Sequence, residues 1–193
     1  MDSLWKTIRE EVEREVGKEP LLANFLYGAV LNHKSLEDAL TFLLASKLEN
    51  STMPAIAMRD LLEEAFENDP GIGKAVRTDI KAVKDRDPAC PGYSTPLLYF
   101  KGFHAMQAYR AAHYFWSRER YQMALFLQSR ISQAMQADIH PAARLGCGIL
   151  MDHATGIVIG ETAVVEDNVS MLHGVTLGGT GKEKGDRHPK VRR

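Results

Sequence analysis

Three stretches of the sequence carry side chains able to move protons or hold a small polar ligand. They are Asp138-Ile139-His140-Pro141, Met151-Asp152-His153-Ala154-Thr155-Gly156, and residues 178–189, where four glycines and the lysines Lys182 and Lys184 precede Asp186, Arg187 and His188. An aspartate bonded to one imidazole nitrogen fixes the tautomer and stabilises the imidazolium that forms when the other nitrogen takes a proton. An alcohol needs that help, because a neutral hydroxyl is a weak nucleophile. Asp138 and His153 are the candidate pair. A plainer role for His153 is to cap a turn with a ring nitrogen. In the third stretch, glycines let backbone N–H groups approach a ligand closely. Arg187 presents a planar fork that matches a carboxylate. A flexible solvated loop explains the same composition. Lys182 lacks the following Ser or Thr of a phosphate-binding P-loop.

The scaffold under these residues has a period of six. Ile139, Leu145, Met151, Ile157, Ala163, Val169 and Val175 are all apolar. A helix would demand steps near 3.6 and a strand steps of two. A strict hexapeptide period is the signature of a parallel β-helix, in which each repeat supplies a short strand and a turn. A second inward row is expected at Ala143, Ile149 and Thr155, then at Ile159, Val165, Met171 and Leu177. The two rows differ by a slip of two residues near 155–159. With coils of about 18 residues, Asp138 and His153 lie close to one turn apart and could meet on neighbouring coils.

Before residue 138 the pattern is helical. Leu4, Ile8, Val12 and Val16 form a stripe at steps of four. Pro20 opens a second segment with Leu22, Phe25, Leu26 and Val30 on one side. Ser35 with Asp38 resembles a capping box. Pro54 falls in the first turn of the next helix, which Asn68-Asp69-Pro70-Gly71 ends. Helices follow over 72–84, 97–117 and 119–136, separated by a turn-rich loop over 85–92. Six to eight helices are expected. The aromatics Phe103, Tyr109, Phe115 and Trp116 read as core.

Net charge is −1, so no bulk field draws nucleic acid or an anionic membrane. The two cysteines make neither a disulfide scaffold nor a CxxC zinc site. The N-terminus lacks the features of a signal peptide, and no run is long enough to span a membrane. A reducing cytoplasm is expected.

Several segments together resemble bacterial serine O-acetyltransferases. They are Asp-Ile-His-Pro-Ala-Ala (138–143), Leu-Met-Asp-His-Ala-Thr-Gly-Ile-Val-Ile-Gly-Glu-Thr-Ala-Val (150–164), Val-Thr-Leu-Gly-Gly-Thr-Gly (175–181) and Gly-Asp-Arg-His-Pro-Lys (185–190). In the helical part they are Arg-Asp-Pro-Ala (86–89) and Tyr-Ser-Thr-Pro-Leu-Leu-Tyr-Phe-Lys-Gly-Phe-His-Ala (93–105). The helical match matters most, because other hexapeptide acyltransferases lack that domain.

The resemblance implies an α+β fold. An α-helical oligomerisation domain (1–137) precedes a partial left-handed β-helix (138–193) with a loop at 178–190. It implies transfer of acetyl from acetyl-CoA to L-serine without a metal, as the first step of cysteine biosynthesis, and inhibition by L-cysteine in the serine pocket. His153 matches the general base and Asp138 its partner. Asp87 and Asp152 match residues near the serine amino group, and Arg187 and His188 residues near its carboxylate. Glu161 and Gly179 match positions lining a cleft between trimer neighbours, with Gly179 on the acetyl-CoA side. Trimers pairing into hexamers are implied. No acyl-enzyme is expected, and Cys147 reads as a bystander. The family continues with further coils and a tail that docks into cysteine synthase. This sequence stops at Arg193 as the repeat should resume, with Val191 the first inward residue of the next coil, so a truncated version is expected. Two other readings remain: an inert assembly and cysteine-binding module, and an acetyltransferase for another hydroxyl.

Overall fold

The computed structural model describes residues 2–192; Arg193, where the expected stop falls, lies outside them. Helix α1 (Ser3–Lys18) begins where the Asp2 carboxylate accepts the Leu4 N–H at 3.0 Å. It buries Leu4, Trp5, Ile8 and Val12. Next come a 3-10 turn (Pro20–Leu22), a short helix α2 (Ala23–Leu26) and a π turn (Tyr27–Leu31). Leu22 and Phe25, expected to face inward, are 43% and 41% exposed. The mixed turns change the angular step per residue, so a constant helical spacing misprojects the buried face onto this segment. The inward residues are Leu26, Ala29 and Val30.

Helix α3 (Leu36–Leu48) has the expected cap, with the Ser35 hydroxyl accepting the Asp38 N–H. Pro54 stands just outside α4 (Ala55–Asn68) in extended conformation, rather than in its first turn. Helix α5 (Pro70–Arg86) starts at once, because the Asp69 carboxylate caps Gly71 and Pro70 is preset for a first turn. The helix expected over 97–117 is two helices, α6 (Ser94–Tyr99) and α7 (Lys101–Trp116), broken by extended backbone at Phe100. Helix α8 (Tyr121–Met135) ends at Gln136 in the left-handed region, φ 58°.

The chain then winds into a parallel, left-handed β-helix of three faces. The first face holds β1 (Ala137–Ile139), β4 (Ile157–Ile159) and β7 (Thr176–Leu177). The second holds β2 (Arg144–Leu145), β5 (Val164–Val165) and β8 (Lys190–Val191). The third holds β3 (Leu150–Met151) and β6 (Ser170–Met171). Register shows where the coils depart from regularity. Val158 lies over Thr176, a step of 18, but Ala137 lies over Ile157, a step of 20, and Val164 over Lys190, a step of 26. The first coil therefore carries two extra residues between β3 and β4, and the third carries eight between β7 and β8.

The two extra residues rearrange the apolar rows. One inward row runs Ala137, Ala143, Ile149, Ile157, Ala163 and Val169, and the other Ile139, Met151, Ile159, Val165, Met171 and Leu177. A count by sixes from Ile139 crosses from one row to the other at Ile157. Thr155, expected inward, falls in the extra segment and is exposed.

The top coil has no coil above it, so its upward backbone groups need other partners. Helices α5 and α7 supply them. The Tyr109 hydroxyl donates to the Ala143 carbonyl. The His113 ring bonds the Pro141 carbonyl at 2.7 Å, and Arg110 donates to the Gly146 carbonyl at 2.9 Å. Asp79, fully buried, accepts the Ile149 N–H at 3.0 Å. Its other oxygen accepts from Arg110 at 2.6 Å and Gln107 at 2.9 Å. The charge pair is thus fully satisfied. One continuous apolar core spans helices and coils. No helix among the described residues is long and apolar enough to cross a membrane.

Two stability predictions follow from these buried polar groups. Asp79→Ala leaves Arg110 buried and unpaired, and urea denaturation is expected to show a loss of about 3–5 kcal/mol. His104 is 1% exposed and bonds the Leu97 carbonyl at 2.7 Å, and burial lowers its pKa from 6.5 to about 4. The unfolded chain therefore binds the proton more readily than the native one. Stability is full above about pH 6.5 and falls towards pH 4, by about 3 kcal/mol for this group. A His104→Gln variant is expected to lose less stability than the parent over that interval in a pH series of melting temperatures.

Candidate active site

The two extra residues of the first coil form a tight turn that lifts His153 off the prism. His153 and Ala154 both have φ 58°, an arrangement that L residues adopt at a cost of about 1 kcal/mol or more each. Short bonds close the turn: the Ala154 N–H to the Asp152 carbonyl at 2.7 Å, and the Thr155 N–H to the His153 carbonyl at 2.8 Å. Ala154 is fully buried, so its methyl anchors the turn. The His153 side chain is 73% exposed, with Nε2 3.5 Å from the Asp152 carboxylate. One coil on, the His173 ring meets it edge to face at a centroid distance of 6.0 Å. Sequence reading missed His173. Its signal is a separation of one 20-residue coil, and that length is visible only in the register.

Asp138 sits on β1, where the 20-residue step places it over Val158. Its carboxylate accepts from the Gln128 side chain at 2.7 Å. Among the described residues no hydrogen bond or ion pair joins it to His153. Asp87 closes α5 and uses its carboxylate to accept the Ala89 N–H at 2.8 Å. The nearby His140 is occupied by its own turn: Nδ1 accepts the Ala142 N–H at 3.1 Å, and the ring stacks edge-on against Trp116 at 4.9 Å. Burial pushes its pKa down, which suits a neutral ring that accepts that N–H.

The eight extra residues of the third coil fold back over the corner at Gly160–Thr162. Thr162 organises them, though nothing in the sequence marks it. Its hydroxyl accepts the N–H groups of Arg187 and His188, both at 3.1 Å, and stands 2.8 Å from His188 Nδ1. The Thr162 N–H also points at Nδ1, at 3.2 Å. Nδ1 is therefore the acceptor, and Nε2 carries the proton of the neutral ring. The Arg187 guanidinium donates to Glu161 at 2.9 Å and to the Gly185 carbonyl at 3.1 Å. A Cβ at position 160 would lie 2.0 Å from His188 Cδ2, so a larger residue there would displace the ring. The open groove beside this loop, about 720 Å³, is lined by residues that include Gly178, Gly179, Glu183, Asp186, Arg187 and His188.

The candidate residues thus occupy two different corners. Asp152, His153 and His173 stand between the third and first faces. Glu161, Arg187 and His188 stand between the first and second. Among the described residues no group of three or more His, Cys, Asp or Glu side chains is placed to hold a metal ion.

A helical cap on a hexapeptide-repeat β-helix, with an imidazole on one corner and an Arg-His pair on the next, is the build of an acyltransferase of that repeat class. Residues 4–108 match the family model described as the N-terminal region of serine acetyltransferase. A serine acetyltransferase of Haemophilus influenzae is 56% identical over 189 residues, covering 98% of this chain and 71% of the relative. A solved serine acetyltransferase in complex with cysteine superposes with a TM-score of 0.95 at 56% identity, over 98% of this chain and 78% of that one. Another, in complex with CoA, gives 0.94 at 53% identity over the same shares. The chain belongs to the serine acetyltransferase family.

Thr162→Val removes the shared acceptor of the Arg187 and His188 amides. Hydrogen exchange at those two amides is expected to rise about tenfold, the worth of roughly one hydrogen bond, while exchange in α7 stays unchanged.

Proposed function

We propose that this chain is a serine O-acetyltransferase that works by direct transfer, with His153 as general base. The observation that carries the reading is His153 itself, exposed on a turn that extra residues and positive φ hold out from a family-matched scaffold. The His153 imidazole takes the proton of the serine hydroxyl. The alkoxide oxygen attacks the thioester carbonyl of acetyl-CoA, and the tetrahedral intermediate collapses to O-acetylserine and CoA thiolate. The thiolate then takes the proton back from His153, so none is gained or lost. Polar donors of the cleft hold the oxyanion as it forms. Asp152, 3.5 Å from the ring, is available to stabilise the imidazolium, alongside the family-matched Asp138.

Asp87 and Asp152 would receive the serine ammonium, and Arg187 and His188 its carboxylate. The His188 Nε2–H suits that role because Nδ1 is already satisfied by Thr162. Glu161 would hold Arg187 in orientation, and Gly179 would face acetyl-CoA. These groups stand on two corners of one prism, which supports a pocket assembled between neighbouring copies in a trimer. Pairing of trimers through the helices is supported by exposed apolar groups there, with Leu21 98% and Tyr99 54% exposed. The relative solved with cysteine supports competition by that amino acid in the serine pocket. The relative solved with CoA supports acetyl-CoA as donor. The helical part (1–137) and the coils (138–193) are the two domains we assign. The two free thiols, Cys90 and Cys147, suit a reducing cytoplasm.

With serine and acetyl-CoA, His153→Ala is expected to lower kcat by about 10²–10⁴-fold in a CoA-release assay, with the oligomer unchanged by sedimentation. Turnover near that of the unsubstituted chain would remove His153 from the mechanism.

A further inference from the structure

The turn that carries His153 is strained at two consecutive residues, and its own bonds are the short ones at Ala154 and Thr155. Backbone in that region persists only where its surroundings over-determine it. The surroundings here are the next coil, where the Asp152 N–H meets the Met171 carbonyl and the Gly174 N–H the Thr155 carbonyl, both at 2.8 Å, and the start of α7. Lys101 is the first helical residue after the Phe100 break, so its Cα is fixed where the helix meets the top coil. Its ammonium donates to the Thr155 hydroxyl at 2.6 Å and reaches the Gln136 side chain at 3.5 Å. Gln136 is the left-handed residue that ends α8, and its carbonyl accepts the Gly156 N–H at 2.8 Å. One ammonium therefore ties the beginning of α7 and the end of α8 to the exit of the turn.

The entry of the turn is fixed by contact. A Cβ at position 102 would lie 2.1 Å from the Met151 carbonyl oxygen and 3.1 Å from its carbon. Gly102 alone lets the helix backbone rest on the residue before Asp152. Met151 and Thr155, the two residues flanking Asp152-His153-Ala154, are thus both held by the first two residues of α7.

We infer that Lys101 and Gly102 are positioning residues for His153, holding its turn so that the imidazole stands in one place. Neither touches the ring, and the inference rests on the general-base reading above. A surface lysine with a merely solvated ammonium would explain none of the contacts on Thr155, Gln136 and the turn they enclose. The Lys101 ammonium stands at the surface, yet it has both partners within reach. Such control matters because small misplacements of a catalytic group are costly in rate.

The test uses the full chain and the variants Lys101→Met, Lys101→Arg, Thr155→Val and the Lys101→Met/Thr155→Val pair. Hydrogen exchange at Ala154, Thr155 and Gly156 is expected to rise about tenfold in Lys101→Met, reporting local opening of the turn. In the same variant kcat is expected to fall about tenfold while KM for serine stays within about twofold. Lys101→Arg restores both readings. Thr155→Val reproduces the loss, and the pair loses no more than either alone, because both remove one contact. Unchanged exchange in Lys101→Met overturns the inference. So do multiplicative losses in the pair, and so does faster exchange with unaltered kcat where His153→Ala is inactive. Failure of the general-base reading shows separately, as turnover that survives His153→Ala.

Discussion

A parallel β-helix has an unavoidable defect at its ends. Every strand bonds the coil above and the coil below, so the first coil presents a ring of N–H and C=O groups with nothing to pair with. The rest of this molecule depends on how that ring is covered. Helices α5 and α7 lie across it and answer its groups one by one: Pro141, Ala143 and Gly146 through their carbonyls, Ile149 through its N–H. Asp79 and Arg110 are both charged and both buried, an expensive choice in isolation. Here each also satisfies backbone of the top coil, and Gln107 fills a remaining acceptor position. The helical part is therefore no mere appendage. It closes the β-helix, and in doing so it brings Lys101 and Gly102 against the one turn of the first coil that departs from regular repeat.

Departures from the repeat are where the chemistry collects. A perfect prism of 18-residue coils presents the same small corner at every level. Two additional residues raise His153, and eight more lay Arg187 and His188 over Thr162. The inward apolar rows continue past the first insertion, and Val191 packs part-buried against the core after the second. The strain at His153 and Ala154 is the cost of that first corner, and the buried methyl of Ala154 offsets part of it.

Much of this was legible in the residues. The hexapeptide period identified the β-helix, and the capping pair at Ser35 placed one helix start, whereas Asp69 reads in sequence as part of a stop and caps the next helix in the structure. The slip of two residues between the inward rows was visible too, near 155–159, and the structure holds it between Met151 and Ile157. Thr155 looked inward because apolar count alone cannot tell a shifted row from a continued one. The Phe100 break was hidden because the flanking residues keep helical spacing. Leu22 and Phe25 misled for a related reason, since 3-10 and π turns leave no distinct spacing. The candidate residues were recognised by resemblance, whereas their neighbours Thr162, His173 and Lys101 came from contacts between distant stretches. A threonine hydroxyl that accepts two amides looks in sequence like any other threonine. The first coil has 20 residues rather than the expected 18, which sets Asp138 in register with Val158.

The covered ring also gives the chain a direction of assembly. Helical contacts are mostly local and form without waiting for distant pairing. Packed α5 and α7 present partners for the first coil, and that coil presents partners for the next. Growth from the helices towards higher residue numbers leaves one open ring at every stage. Growth from the middle of the coils would leave two, each able to capture another chain. The order in which a ribosome releases this sequence is the order that keeps the exposed edge smallest.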